Sequence, residues 1–329
     1  MSTAKKIGKK TIRLAHSVVN TVVLIIILLL LVFACYAIWD SSEVNRAADA
    51  SRYDKFRPTV EDEGASFEEL RAINPEVFAW LTVYGTHIDY PVVQTTNNLK
   101  YVNTDAMGNY SLSGAIFLDY QNSPDFTDFN NILFGHHMEK KTMFGEIGQF
   151  AEKSYFDAHR YGMLYYNGLE HGLEFFAIVH TDAYNNTVFQ PNIKEPDEQQ
   201  KYLDMLYQIA IHMREDVPVT ISDRIVLLST CSESSTNGRD ILVGKITDEV
   251  YANTFIEKPA AKTPAPIRSI DELPGLFEQA SLGMKIVILA LPLLLLLLVI
   301  IIAKSFKKGK RAKAQGREMN GNGRNRNKK

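Results

Sequence analysis

The chain has 329 residues, 36 Lys and Arg against 38 Asp and Glu, and a formal net charge of −2. Apolar residues make up 46% of it, enough for a folded core. Two cysteines, Cys35 and Cys231, exclude a disulfide scaffold, and the acidic character of the chain between its tails excludes nucleic-acid binding there.

Residues 1–17 form a basic tail with Lys5, Lys6, Lys9, Lys10 and Arg13. An apolar run follows at 18–38, broken only by Asn20 and Thr21, and meets the ~20 residues a bilayer-spanning helix needs. It is long for a signal peptide and shows no Ala-x-Ala cleavage pattern near Trp39, so it reads as an uncleaved anchor. A second apolar run covers 286–303, with one proline, Pro292. It leads into a tail at 304–329 that carries eleven Lys and Arg. Charges on the outer side of each run put both termini in the cytoplasm and the middle of the chain outside the cell membrane. The two tails hold 16 of the 36 basic residues but one of the 38 acids, Glu318, which leaves the intervening chain at −17. The last tail sets topology and stands within reach of anionic membrane lipids.

Between the runs, residues 39–66 are polar and read as an extracellular stalk or short helical stretches. Residues 67–252 form one domain. Short apolar runs bounded by turn residues predict strands at 78–83, 88–93, 114–119, 131–134, 163–166, 173–179 and 217–222, and a pair of strands flanking Cys231. Helices are expected at 144–150 and at 195–212, where Leu203, Leu206, Ile209 and Ile211 lie on or near one face. The class is therefore mainly β, a sandwich or a closed barrel. Residues 253–285, with Pro259, Pro264, Pro266 and Pro274, read as an extended linker to the second run.

The chemistry concentrates around IVLLSTCSESSTNGRDILVGKI. An apolar run, 225–228, ends in Ser229, Thr230 and Cys231, and Arg239 opens the next run. A thiol at the end of one strand beside a guanidinium at the start of the next is what a cysteine nucleophile needs, because the thiolate is the reactive form. The alternative is a buried structural cysteine. Among eight histidines, the pair His136–His137 stands where an apolar strand ends at Gly135, a place where catalytic side chains sit on a rigid scaffold. His180 either flanks the site or closes a strand. Adjacent histidines also suit a metal, but no further ligand stands at zinc-like spacing, so neither metal nor cofactor is expected. His136 would take the thiol proton and later protonate the leaving amine, and Arg239 would hold the substrate or its oxyanion.

Thr230-Cys231 closing LLSTC, Arg239 at the head of the following strand and Gly135-His136 at the end of an apolar strand, in this order between two membrane runs, resemble the sortase family. YPVVQ (90–94), GAIFLDYQN (114–122), ILFGHHM and MFGEI resemble its class B. The likeness spans the whole domain. It implies an eight-stranded sortase barrel with added helices and a transpeptidase, with Cys231 as nucleophile, His136 as acid/base and Arg239 on the substrate carbonyl. Ser229, Thr230 and Glu233 would line the substrate. The substrate would be a secreted protein bearing a C-terminal sorting motif, and the acceptor an amine of a peptidoglycan precursor or a pilin lysine. Phe134 stands where a tyrosine often precedes Gly-His. The second membrane run is a class C habit, but the Thr-Pro-Tyr-Gly that follows the class C cysteine is replaced here by Ser232, Glu233, Ser234 and Ser235. Two rivals remain. A papain-like hydrolase would place its cysteine before its histidine and on a helix. A peptide-binding module would not need the thiol at all.

Overall fold

The structure is a computed structural model that describes residues 2–59, 64–231 and 237–255. Most of the expected linker, the second apolar run at 286–303, the basic tail at 304–329 and Glu233 lie outside the described residues. The chain divides into two units. One contains residues 1–40 and the other 41–262.

In the first unit the apolar run belongs to a helix, α1, Ser2–Ala47. It is long and apolar enough to cross a membrane. Val18, Val22, Ile25, Leu29 and Phe33 are exposed, as lipid-facing side chains would be. Thr21 turns its hydroxyl back to the Ser17 carbonyl (2.8 Å), which satisfies the polar group inside the helix. Tyr36 and Trp39, at the far end of the run, are the amphipathic rings expected at a membrane surface.

The second unit is built on nine strands. These are β1 (Val77–Val83), β2 (Asp89–Val93), β3 (Ile116–Leu118), β4 (Asn130–Phe134), β5 (Tyr161–Tyr166), β6 (Leu169–Asp182), β7 (Ala210–Met213), β8 (Arg224–Cys231) and β9 (Gly238–Thr247). The hydrogen-bonded order is β5-β1-β2-β3-β4-β8-β9-β6, and pairing of β6 with β5 closes eight strands into a barrel. Closure depends on the length of β6. Its first half pairs with β5. A bulge between Phe175 and Ala177 then turns it, and its second half pairs with β7 on the side that β5 has left.

Two pairings are parallel, β2 with β3 and β4 with β8. Parallel neighbours need long crossovers. The crossover 94–115 and the loop leaving β4 both reach the end of the barrel where β4 and β8 terminate. That is how residues distant in sequence come to share one end.

Strand β8 is apolar on both faces, which explains its unbroken run. Val226 and Leu228 join the barrel interior with Leu133, Leu164, Phe175 and Leu242. Ile225 and Leu227 join a second, outer core with Ile132, Phe176, Ile241 and Val243. That outer core is covered by the helix Pro196–Ile209 through Tyr202, Leu203 and Leu206. Among the described residues two further α-helices belong to the unit, and in chain order the set is α2 (Ala65–Ile73), α3 (Lys153–Ala158) and α4 (Pro196–Ile209).

Several expectations give way. The run 217–222 forms no strand, because Pro218 has no N–H to give a ladder, and the extra strand is β7 instead. The helix expected to reach His212 ends at Ile209, where the chain turns extended and Ile178 pairs with His212. The segment 144–150 forms a 3-10 turn over Ile147–Ala151 rather than an α-helix. In the segment read as a stalk or short helical stretches, a 3-10 helix over Ala50–Phe56 follows α1, and Ala48, Tyr53 and Phe56 are buried in the barrel's core cluster, so the stalk alternative gives way.

Candidate active site

Three adjacent strands present the candidate residues in one row. In β4 and β8, Ile132 pairs with Leu227 and Phe134 with Ser229. The Gly135 amide then donates to the Ser229 carbonyl at 3.2 Å and prolongs the ladder. One more step in this parallel register brings His136 beside Cys231. In β8 and β9, Cys231 is the direct partner of Arg239. Side chains alternate in strands, so position parity decides which face each residue uses. Ile132, Leu227, Ile241 and Val243 all lie on the α4 side. His136, Cys231 and Arg239 share their parity and emerge on the same side, from strands spaced ~4.8 Å apart. Cys231 is exposed.

His136 is held from its far side. Its Nε2 lies 2.8 Å from the carbonyl oxygen of Val102, in the β2–β3 crossover. A carbonyl only accepts, so Nε2 carries a proton, and Nδ1 is the nitrogen left to exchange one with a thiol. Arg239 donates from Nη1 to the Gly238 carbonyl at 3.0 Å. Among the described residues it has no ion pair with an acid, and it lines the same cavity as His136 and Cys231. The neighbouring acid, Asp240, belongs to the opposite face and is 2.8 Å from His180 Nδ1. His180 therefore stands within β6, two residues before its end and paired with Asp240, and is not part of the row.

The row opens into a cavity of about 260 Å³. Its apolar wall is Val102, Phe117 and Phe134, and its polar edge is Asn98, Ser229, Thr230 and Arg239. The Oγ atoms of Ser229 and Thr230 are buried, and neither has a hydrogen-bond partner among the described residues. Phe134, where a tyrosine was noted as common, packs with its ring tilted against Phe117 (centroids 5.4 Å apart) and Phe189 (6.2 Å), so its ring serves packing. A second cavity, about 320 Å³, lies by Phe67, Arg71, Phe78 and Tyr165, and neither cysteine nor histidine lines it. Asn98 and Val102 carried no signal in the sequence, and Phe117 stood inside GAIFLDYQN without being marked as a cavity residue. The Val102 contribution is a backbone oxygen, which side-chain patterns do not reveal.

Glycines let the loop after β4 fold tightly. A Cβ on Gly135 would stand 2.5 Å from Ile116 Cδ1 and 2.7 Å from Phe144 Cδ2. A Cβ on Gly145 would strike the Met138 carbonyl oxygen.

No family model matches the chain. It is 31% identical over 182 residues to sortase B of Staphylococcus aureus, covering 55% of this chain and 74% of that protein. The chain belongs to the sortase family. Sortase B of Listeria monocytogenes is likewise 31% identical over 202 residues, 59% of this chain and 80% of the relative. Among solved structures, a Streptococcus pyogenes class B sortase involved in pilus biogenesis is 40% identical, with a TM-score of 0.51 over 56% of this chain and 99% of that one. The chain is thus a class B-like sortase, and its family consists of cysteine transpeptidases.

Proposed function

We propose that this sortase is membrane-anchored and transfers secreted proteins through a thioacyl-enzyme formed on Cys231. The observation that supports the reading is that Cys231 on β8 faces Arg239 on β9, that His136 follows two residues after the end of β4, the strand beside β8, and that all three line one cavity. The Cys231 thiolate attacks a backbone carbonyl within the C-terminal sorting signal. The oxyanion that forms is met by the Arg239 guanidinium, a preorganised cation that needs no rearrangement. His136 gives its proton to the leaving amine as the C–N bond breaks, and a thioester remains on Sγ. An incoming amine then loses a proton to His136 and attacks the thioester. The new amide forms and the thiolate leaves. Ser229 and Thr230 line the bound segment together with Glu233, two residues after Cys231 in the chain.

The acceptor is an amine of a cell wall precursor. A second reading, in which it is a lysine of a pilin subunit, draws support from the 40% identity to the pilus-associated class B sortase. The domain lies outside the cell, held by α1 and by the apolar run at 286–303, with both basic tails in the cytoplasm. The residue pattern and the positive-inside rule support this topology.

The test incubates the full chain in detergent with a panel of sorting-signal peptides and follows the Cys231 peptide by mass spectrometry. An acyl adduct is expected on wild type and on neither Cys231→Ala nor His136→Ala. Normal anchoring or polymerisation in cells that carry Cys231→Ala would overturn the reading in favour of a binding module.

A further inference from the structure

The loop that leaves His136 adopts a backbone that its residues disfavour. Lys140, Lys141 and Met143 have φ of 59°, 62° and 52°, in the left-handed region that favours glycine. His137 and Met143 pair across this loop, and the Phe144 amide donates to the His136 carbonyl at 3.0 Å. A strained loop of this kind persists only where its surroundings hold it.

One holding group is the hydroxyl of Tyr90, in β2. It accepts from the Met143 amide at 2.9 Å and donates to the Ala48 carbonyl at 2.7 Å. Tyr90 is 2% exposed, and burial keeps its hydroxyl well above the ordinary tyrosine pKa, so it remains a donor. The Ala48 carbonyl lies just beyond the end of α1, where helix carbonyls lack intrahelical partners. The neighbouring Ala47 carbonyl accepts from Arg52 Nη1 at 2.7 Å, and Arg52 Nη2 stands 3.5 Å from Asp105. Asp105 in turn organises the crossover that supplies Val102, accepting the Met107 and Asn109 amides at 3.0 and 2.9 Å. Segment 47–52 thus touches both loops that hold the imidazole.

We propose that Tyr90 is a positioning residue for His136: its hydroxyl ties the loop behind His136 to the carboxyl end of the N-terminal helix and so fixes where the imidazole stands relative to Cys231. The proposal rests on the reading of His136 as the acid/base.

The test uses the full chain in detergent and measures alkylation of Cys231 by iodoacetamide across about pH 5–9, read at its peptide by mass spectrometry. Tyr90→Phe, which keeps the ring and loses the hydroxyl, is expected to slow alkylation near neutral pH by about tenfold and to move the pH profile in the same direction as His136→Ala. A wild-type profile for Tyr90→Phe, beside a moved profile for His136→Ala, would reduce Tyr90 to a packing role and overturn the proposal alone. A wild-type profile for His136→Ala would defeat the acid/base reading and this proposal with it. Hydrogen exchange on the unmodified chain gives a check that needs no variant. The Met143 amide is expected to be protected, and rapid exchange would contradict the tie.

Discussion

His136 is gripped through Nε2 by a main-chain oxygen, while Cys231 and Arg239 face each other across a ladder rung. Each makes a separate contribution, so single substitutions should have different signatures. His136→Ala removes the proposed proton shuttle and is expected to lower turnover of a sorting peptide by ~10²–10⁴-fold. Arg239→Lys keeps the charge but loses the fork, and is expected to cost about 10²-fold, with the loss in kcat rather than KM if the guanidinium acts on the oxyanion. Steady-state kinetics on both variants separates the two roles. At this scale the sequence was informative. Thr230-Cys231 and Arg239 are close in the chain, and a two-strand reading already puts them face to face. It was silent on the part of Asn98, Val102 and Phe117 in the cavity, because that part depends on a crossover that returns from a different strand pair.

The loop between β4 and the 3-10 turn at Ile147–Ala151 depends on the absence of a side chain at Gly135. Gly135→Ala pushes a methyl into Ile116 and Phe144 and is expected to destabilise the protein by ~1–3 kcal/mol, with His136 displaced. Thermal unfolding together with the alkylation profile of Cys231 would show both effects. The β5–β6 hairpin carries a pH-sensitive group of its own. His171 stacks on Tyr166 with centroids 4.1 Å apart, and its pKa is lowered first by burial and then by Arg224, with Asp248 opposing. Its folded pKa lies below the unfolded value of about 6.5, so the unfolded chain takes up the proton first. Stability is then full above that value and falls as pH drops through it. His171→Phe keeps the stack and is expected to flatten that slope in unfolding measurements between about pH 7.5 and 5. Equal slopes for both proteins would rule the group out. Elements with strong two-sided apolar runs, such as β8, were legible. The switch from α4 to β7 was not, because Ile209 and Ile211 fit a helical face as well as a strand, and pairing with β6 decides between them.

For the whole molecule, the closed barrel removes free edges along eight strands, and its parallel β4–β8 pair brings the ends of two distant segments together. The fold class followed from strand-rich patterning and from the family likeness. The closing partner of β6 did not, since pairing over a bulge is a tertiary choice. α1 is long and apolar enough to cross a membrane, and the proposed anchoring would put the domain where lipid-linked acceptors and retained substrates are concentrated. The defining property of a transpeptidase is the fate of its acyl group, and the most direct measurement is the partition of that group between water and an added amine. Wild-type enzyme would be given one sorting peptide with rising concentrations of an oligoglycine or a lysine-bearing pilin peptide, and both products quantified by mass spectrometry. The expected result is an amide product that grows at the expense of free acid, with acylation of Cys231 unchanged. Free acid alone, undiminished at the highest amine concentration for either acceptor, would contradict transpeptidation and make the protein a cysteine hydrolase.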